Sequence, residues 1–378
     1  MQPTRHTLLS TLAVIGLAIV GGLALGASAA PAEARGLAAT GAVFTTTNSA
    51  DGNAVLAFRR SARGGLTFLD AYDTGGTGTG AGLGNQGGLV LDTSGNHLFA
   101  VNAGSDSLSV LAVGPKGLRL LDVEGSGGTL PISVTTYGDL VYVLNAGGDG
   151  NISGLRLAAD GSLTLIAGST RPLSGSGTAP AQISFSPDGQ ALVVTEKGTN
   201  SLVTYVVGDD GLASDPIVTA SEGDTPFGFA FGHRARLFVS EAFGGAFEAS
   251  AVSSYDLRRD GSLEPITPSL PTTETAACWL VVTGNGRYAY TTNTGSDSIT
   301  GLALARNGVV SLLDVDGFTA QAGDAPIDAA FSRNSRFLYV LNSGDGSLSA
   351  YSVRADGGLV DLAGVDGLPA GANGLAAK

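Results

Sequence analysis

The chain has 378 residues, a formal net charge of −13 and 14 % charged residues; it lacks the dense basic clusters with which proteins hold nucleic acid or an anionic membrane surface. Glycine is abundant at 58 residues and apolar residues make up 43 %, which excludes a disordered chain and points to a turn-rich β protein. Cys278 is the single cysteine, so no intrachain disulfide can form.

Residues 1–34 read as an export signal. Arg5 precedes an apolar stretch from Leu8 to Leu25, and small-residue cleavage sites follow at Ala27-Ser28-Ala29 and Ala32-Glu33-Ala34. Cleavage leaves residues 35–378 as a single domain that is secreted, periplasmic or displayed on the cell surface. Retention of the stretch as a membrane anchor is the alternative, since its length suffices to span a bilayer.

Beyond this segment a short β-run ends in Asn or Glu seven times, at Asn48, Asn102, Asn145, Glu196, Glu241, Asn293 and Asn342. A strand-built repeat of roughly 40 to 50 residues is the signature of propeller blades. The unit from Pro180 to Thr225 shows the blade most clearly: the strand QISFS, the turn SPDG, the strand ALVVTE, the polar step KGTNS, the strand LVTYVV, a turn closing at Gly211 and a last apolar run. That last hairpin turn recurs at Asp160-Gly161, Asp210-Gly211, Asp260-Gly261, Asn307-Gly308 and Asp356-Gly357, pairs that supply the positive φ of tight hairpins. The sequence therefore predicts an all-β, seven-bladed propeller with four-stranded blades.

The tail LPAGANGLAAK repeats the blade start seen at Leu130-Pro131 and Thr225-Pro226, yet no second strand follows it, whereas the first repeat, FTTTN, begins close to a second strand. Pairing the N- and C-terminal segments would close the ring and remove two sheet edges. In the alternative, residues 36–40 supply the missing inner strand.

In such a ring the seven Asn and Glu positions gather on one face, together with the loops that join blades. Residues two past each blade start should rim the axis there, and Gln182, Trp279 and Asp328 are the distinctive ones, with Asn145 and Asn293 placed to orient a substrate. An Asn at a strand end ordinarily caps the following turn. Glu196 and Glu241 cap less well and are read either as solvated charges or as a catalytic pair able to divide acid and base roles. Trp279 is read either as a stacking platform or as core, and Cys278 as a buried apolar residue. The acids and amide oxygens of this face are also the ligand chemistry of Ca²⁺, although no fixed-spacing motif is present and no cofactor is required. His97 and His233 fall on the opposite face, with Arg234, Arg236, Arg287, Arg333 and Arg336, so the Asn/Glu face favours a neutral or cationic ligand.

The LYVLN and LFAVN strands, the SPDG turn, the GSDSLSVL step and the Asp-Gly hairpins resemble the seven-bladed lactonase-like propellers, a family that includes 6-phosphogluconolactonase and the carboxymuconate-cyclising enzymes. The resemblance implies an exported hydrolase of a small neutral lactone or cyclic ester, with Glu196 or Glu241 as general base. In lactonase members a His-Pro-His-type motif opens a middle blade and an acidic residue with Gly follows its second strand. Here the matching positions are Ala179-Pro180-Ala181-Gln182 and Glu196-Lys197-Gly198: the acid is present and both histidines are Ala. A non-catalytic propeller that binds a small molecule or an extracellular protein is therefore the alternative.

Overall fold

The computed structural model describes residues 41–378; the signal segment 1–34 and the alternative inner strand at 36–40 lie outside the described residues. Seven antiparallel sheets, each with a four-stranded core, follow one another along the chain. Blades two to seven open with inner strands Leu89–Leu91, Pro131–Tyr137, Pro180–Phe185, Pro226–Phe231, Ala277–Val282 and Pro326–Phe331. Blade one is composite: its inner strand is Asn373–Ala377 from the C-terminus, paired antiparallel with Ala42–Thr46. The ring is thus closed by the two ends of the chain.

Side-chain alternation along the strands buries one residue set between each pair of neighbouring blades. Seven apolar clusters result, one per blade interface. The cluster between blades seven and one joins Val43 and Phe58 to Tyr339, Leu341 and the tail residue Leu375. Hydroxyls reinforce the same interfaces: Tyr142, Tyr290 and Tyr339 donate to the carbonyls of Gly211, Gly357 and Gly64, each in the last hairpin turn of the next blade.

A local device positions the axial side chains. The residue before each of five inner strands, Leu130, Ala179, Thr225, Ala276 or Ala325, has a left-handed φ of 42° to 58°, and a β-bulge follows one or two residues later. The polar step of the preceding blade holds three of these starts: Asp106 accepts from Leu130 N at 2.7 Å, Asn200 from Thr225 N at 2.8 Å and Asp297 from Ala325 N at 2.8 Å. The recurring Asp or Asn of that step is therefore a blade-to-blade strut. The bulge re-aims the side chain that follows it, which turns Gln182, Trp279 and Asp328 toward the axis.

Candidate functional site

The strand-ending residues are enclosed. Asn102, Asn145, Glu196, Glu241, Asn293 and Asn342 all have 0 % exposure, and each ends the second strand of its blade. Asn48 departs from the pattern: in blade one Thr46 is the last strand residue, and Asn48 lies beyond it with φ 47°.

Within each blade these side chains tie the second strand to the third. Asn102 Nδ2 donates to Ser107 Oγ and Ser109 Oγ, Asn293 Nδ2 to Ser298 Oγ and Thr300 Oγ1, and Asn342 Nδ2 to Ser347 Oγ and Ser349 Oγ, at 2.7 to 3.2 Å. Asn145 does the same with Ser153 Oγ at 3.2 Å. The two Glu residues invert the polarity. Glu196 Oε1 accepts from Ser174 N at 2.9 Å, and Oε2 accepts from Ser174 Oγ and from Thr199 Oγ1. Glu241 accepts from Gly223 N at 3.0 Å and Ser269 Oγ at 2.6 Å, while burial pushes its carboxyl up against those hydrogen bonds. A glycine of the loop leading into each blade lies over Asn102, Asn145, Glu241 and Asn342, so close that a Cβ at Gly76, Gly128, Gly223 or Gly323 would overlap them. The reading of Glu196 and Glu241 as solvated charges is corrected here: each is enclosed in its own knot of hydroxyl and amide donors at the end of its strand.

Gln182, Trp279 and Asp328 do converge on the axis, and what they meet there is protein. The loop between blades one and two crosses the channel at Gly84-Asn85-Gln86. Gln86 Nε2 donates to Leu280 O at 2.9 Å, its Oε1 accepts from Leu280 N at 3.1 Å, and its backbone N donates to Ala181 O. Asn85 accepts from Trp279 Nε1 at 2.6 Å and from Asn373 Nδ2 at 3.0 Å, and donates to Ile132 O. Ser133 Oγ donates to Gln86 O. The inner strands of blades one, three, four and six are thereby bound to one short segment. At blade five Gly228 leaves the space that Gln86 Oε1 occupies. The axis that these residues were expected to rim is crossed by this plug.

The groups around the plug are correspondingly satisfied. Gln182 exchanges two hydrogen bonds with the backbone of Phe229. Trp279 packs on Phe227 with ring centroids 4.8 Å apart. Asp328 accepts from Ala329 N and Leu375 N at 2.8 and 3.1 Å, and burial pushes its carboxyl up to about 8. Lys197 lies over the Phe227 ring and donates to Gly84 O; burial lowers its ammonium to about 8. Burial also raises the Cys278 thiol to about 11, which keeps it a neutral packing group. Only its adjacency to Glu196 in the polar step could have flagged Lys197.

On the far side of the plug the channel opens again, on the face that carries the first hairpin turns. This funnel of about 440 Å³ is walled by Phe185, Phe229, Phe231, Leu280, Val282 and Phe331 and floored by Gln86 and Gln182. No titratable side chain lines it. His97 and His233, on the same face, are engaged by Asp92 at 2.9 Å and by the carbonyl of Asn285 at 2.6 Å. The Glu196 and Glu241 oxygens face hydroxyl and amide donors, and no group of three or more His, Cys, Asp or Glu gathers among the described residues.

The profile described as "Lactonase, 7-bladed beta-propeller" matches residues 77–372. The chain belongs to this family. It is 26 % identical to a 6-phosphogluconolactonase of Serratia proteamaculans over 65 % of this chain and 74 % of that protein. Among solved structures it superposes on the periplasmic gluconolactonase of Pseudomonas aeruginosa with a TM-score of 0.68 at 17 % identity, covering 88 % of this chain and 98 % of the other. A Lactobacillus plantarum protein gives 0.71 at 19 % identity, covering 90 % and 99 %. The structural matches concern the fold. Family membership extends over both the plug and the blade motifs.

Proposed function

We propose that this lactonase-family propeller is a receptor for a small uncharged ligand, held in the apolar funnel on the hairpin face. The observation that carries the reading is the separation of chemistry from space. Glu196 and Glu241 are closed inside the blades and hydrogen-bonded there, whereas the axial cavity is bordered by inner-strand residues with no acid or base among them. General-base hydrolysis needs a base within hydrogen-bond reach of an attacking water, and the funnel provides none. Its volume, with Ser184, Gln86 and Gln182 as polar groups among apolar residues, suits a single ring-sized molecule. The Arg-led apolar N-terminus supports export as part of the same reading.

Lactone hydrolysis is the second reading, favoured by the names of the relatives. One neutral lactone separates the two. Dihydrocoumarin is expected to bind saturably in calorimetry, to lose binding in Ser184→Trp, which fills the funnel, and to remain unopened when its ring is followed by absorbance. Ring opening that is lost in Glu196→Gln with Glu241→Gln would establish the hydrolase; absence of any saturable binding would overturn the receptor.

A further inference from the structure

We infer that the groove between blades six and seven, on the hairpin face, is a binding site for a small molecule carrying a dianionic phosphoryl group. The groove has a volume of about 690 Å³ and is walled by two hairpin turns, Thr283–Arg287 of blade six and Arg333–Arg336 of blade seven, with Arg354 and Ala355 closing its end. Four exposed arginines, Arg287, Arg333, Arg336 and Arg354, converge on it, and no Asp or Glu lines it. In a chain with a net charge of −13, such a concentration of unneutralised cation opposes the overall field. It also carries a cost in mutual repulsion that a bound anion relieves.

Among the described residues, the side-chain hydrogen bond these arginines donate is that of Arg287 Nη2 to Tyr288 OH at 3.4 Å. None of the four enters an ion pair among the described residues. The Arg287 guanidinium lies over the Tyr288 ring at 5.3 Å and that of Arg336 over the Phe337 ring at 5.8 Å, contacts made by the guanidinium faces, which leave further N–H edges to donate. Asp356, near in sequence, is turned into its own hairpin, accepting from Gly358 N at 3.0 Å.

The remaining polar atoms add donors. Asn285 and Asn334 use their Oδ1 atoms within their own turns, accepting from Arg287 N and Arg336 N at 3.0 and 3.2 Å, which presents their Nδ2 atoms as donors. The walls are fixed in place: Ser335 Oγ accepts from Gly284 N at 2.9 Å across the blade boundary, and Tyr288 OH donates to Ala355 O at 2.9 Å. A preformed groove of forked donors without acceptors matches a group with three acceptor oxygens and nearly two negative charges. One carboxylate would leave most of the forks unused.

The site is independent of the funnel ligand, so its test is separate. Calorimetry on the chain at fixed ionic strength, with inorganic phosphate, glycerol 3-phosphate and citrate in parallel, is expected to give saturable binding of the first two, with glycerol 3-phosphate the tighter. Arg333→Gln with Arg354→Gln, two exposed side chains in no ion pair or ring contact among the described residues, should weaken both by on the order of tenfold or more, as loss of charge-assisted hydrogen bonds does. Arg306→Gln, in a hairpin outside the groove, should leave them unchanged. Binding unaltered in the double variant, or equally weakened in Arg306→Gln, would overturn the site. Citrate binding tighter than either phosphate would overturn the phosphoryl assignment.

Discussion

At the residue scale, the carboxylate at the strand end of blade four follows from what its third strand offers, whereas in blade five Glu241 faces a hydroxyl, Ser253, as the Asn residues do. Asn102, Asn293 and Asn342 meet hydroxyls seven residues on, at Ser109, Thr300 and Ser349, and donate to them. In blade four the matching position is Val203, which offers no acceptor, and the donors come from Ser174 and Thr199. A carboxylate fits there because it accepts only. The exception that looked catalytic in the sequence is thus the same strut with its polarity reversed. Asp328 is a different case, a carboxyl buried at the axis and raised to about 8 in spite of two amide donors. Its folded-state value lies above the ordinary aspartate range, so protonated Asp328 favours the fold; that stabilisation is complete below pH about 4 and is lost as the pH rises toward 8. The stability advantage of the parent chain over Asp328→Asn should therefore shrink between pH 5 and pH 8 in urea titrations; an advantage constant across that range would show that burial does not control this group.

At the element scale, the plug is the feature that decides the site. Gly84-Asn85-Gln86 replaces solvent along the axis with backbone-directed hydrogen bonds to four blades, and Gly228 is required for Gln86 to reach Leu280. Gly228→Ala would drive a Cβ into Gln86 Oε1 and the Cys278 carbonyl, an overpacking cost of about 1–3 kcal/mol. Gln86→Ala would orphan a buried N–H and a buried C=O of Leu280, about 1–3 kcal/mol for each group left unsatisfied. Because the two sites share one contact, the double variant should lose less stability than the sum of the singles. Strict additivity of urea midpoints, with unchanged slopes, would show that Gln86 and Gly228 do not meet.

At the scale of the whole molecule, stability rests on ring closure, in the absence of any intrachain disulfide. The strand Asn373–Ala377 pairs with Ala42–Thr46, places Leu375 in the core between blades seven and one, and gives its amide to Asp328. Removal of residues 369–378 leaves Ala42–Thr46 as an unpaired sheet edge and exposes that core, and should lower the melting temperature by at least about 10 °C; an unchanged melting temperature would mean that the ring does not depend on the tail. The number of blades, the hairpin turns, this closure and the axial direction of Gln182, Trp279 and Asp328 were all legible in the sequence, because strand alternation, turn glycines and repeat spacing are local properties that recur with the blade. Asn48 misled, since a bend after Thr46 takes it out of the strand register. The basic character of the hairpin face was legible, but the fate of the channel and the convergence of Arg354 with Arg287, Arg333 and Arg336 on one groove were not. A loop of ordinary composition becomes a plug only when five blades bring their inner strands around it, and Arg287, Arg333, Arg336 and Arg354 become one site only when two blades stand side by side. The sequence determined which residues form strands and which end them; tertiary structure alone decided which of them meet, because the contacts that matter join residues as far apart as Gln86 and Leu280, for which no local pattern exists.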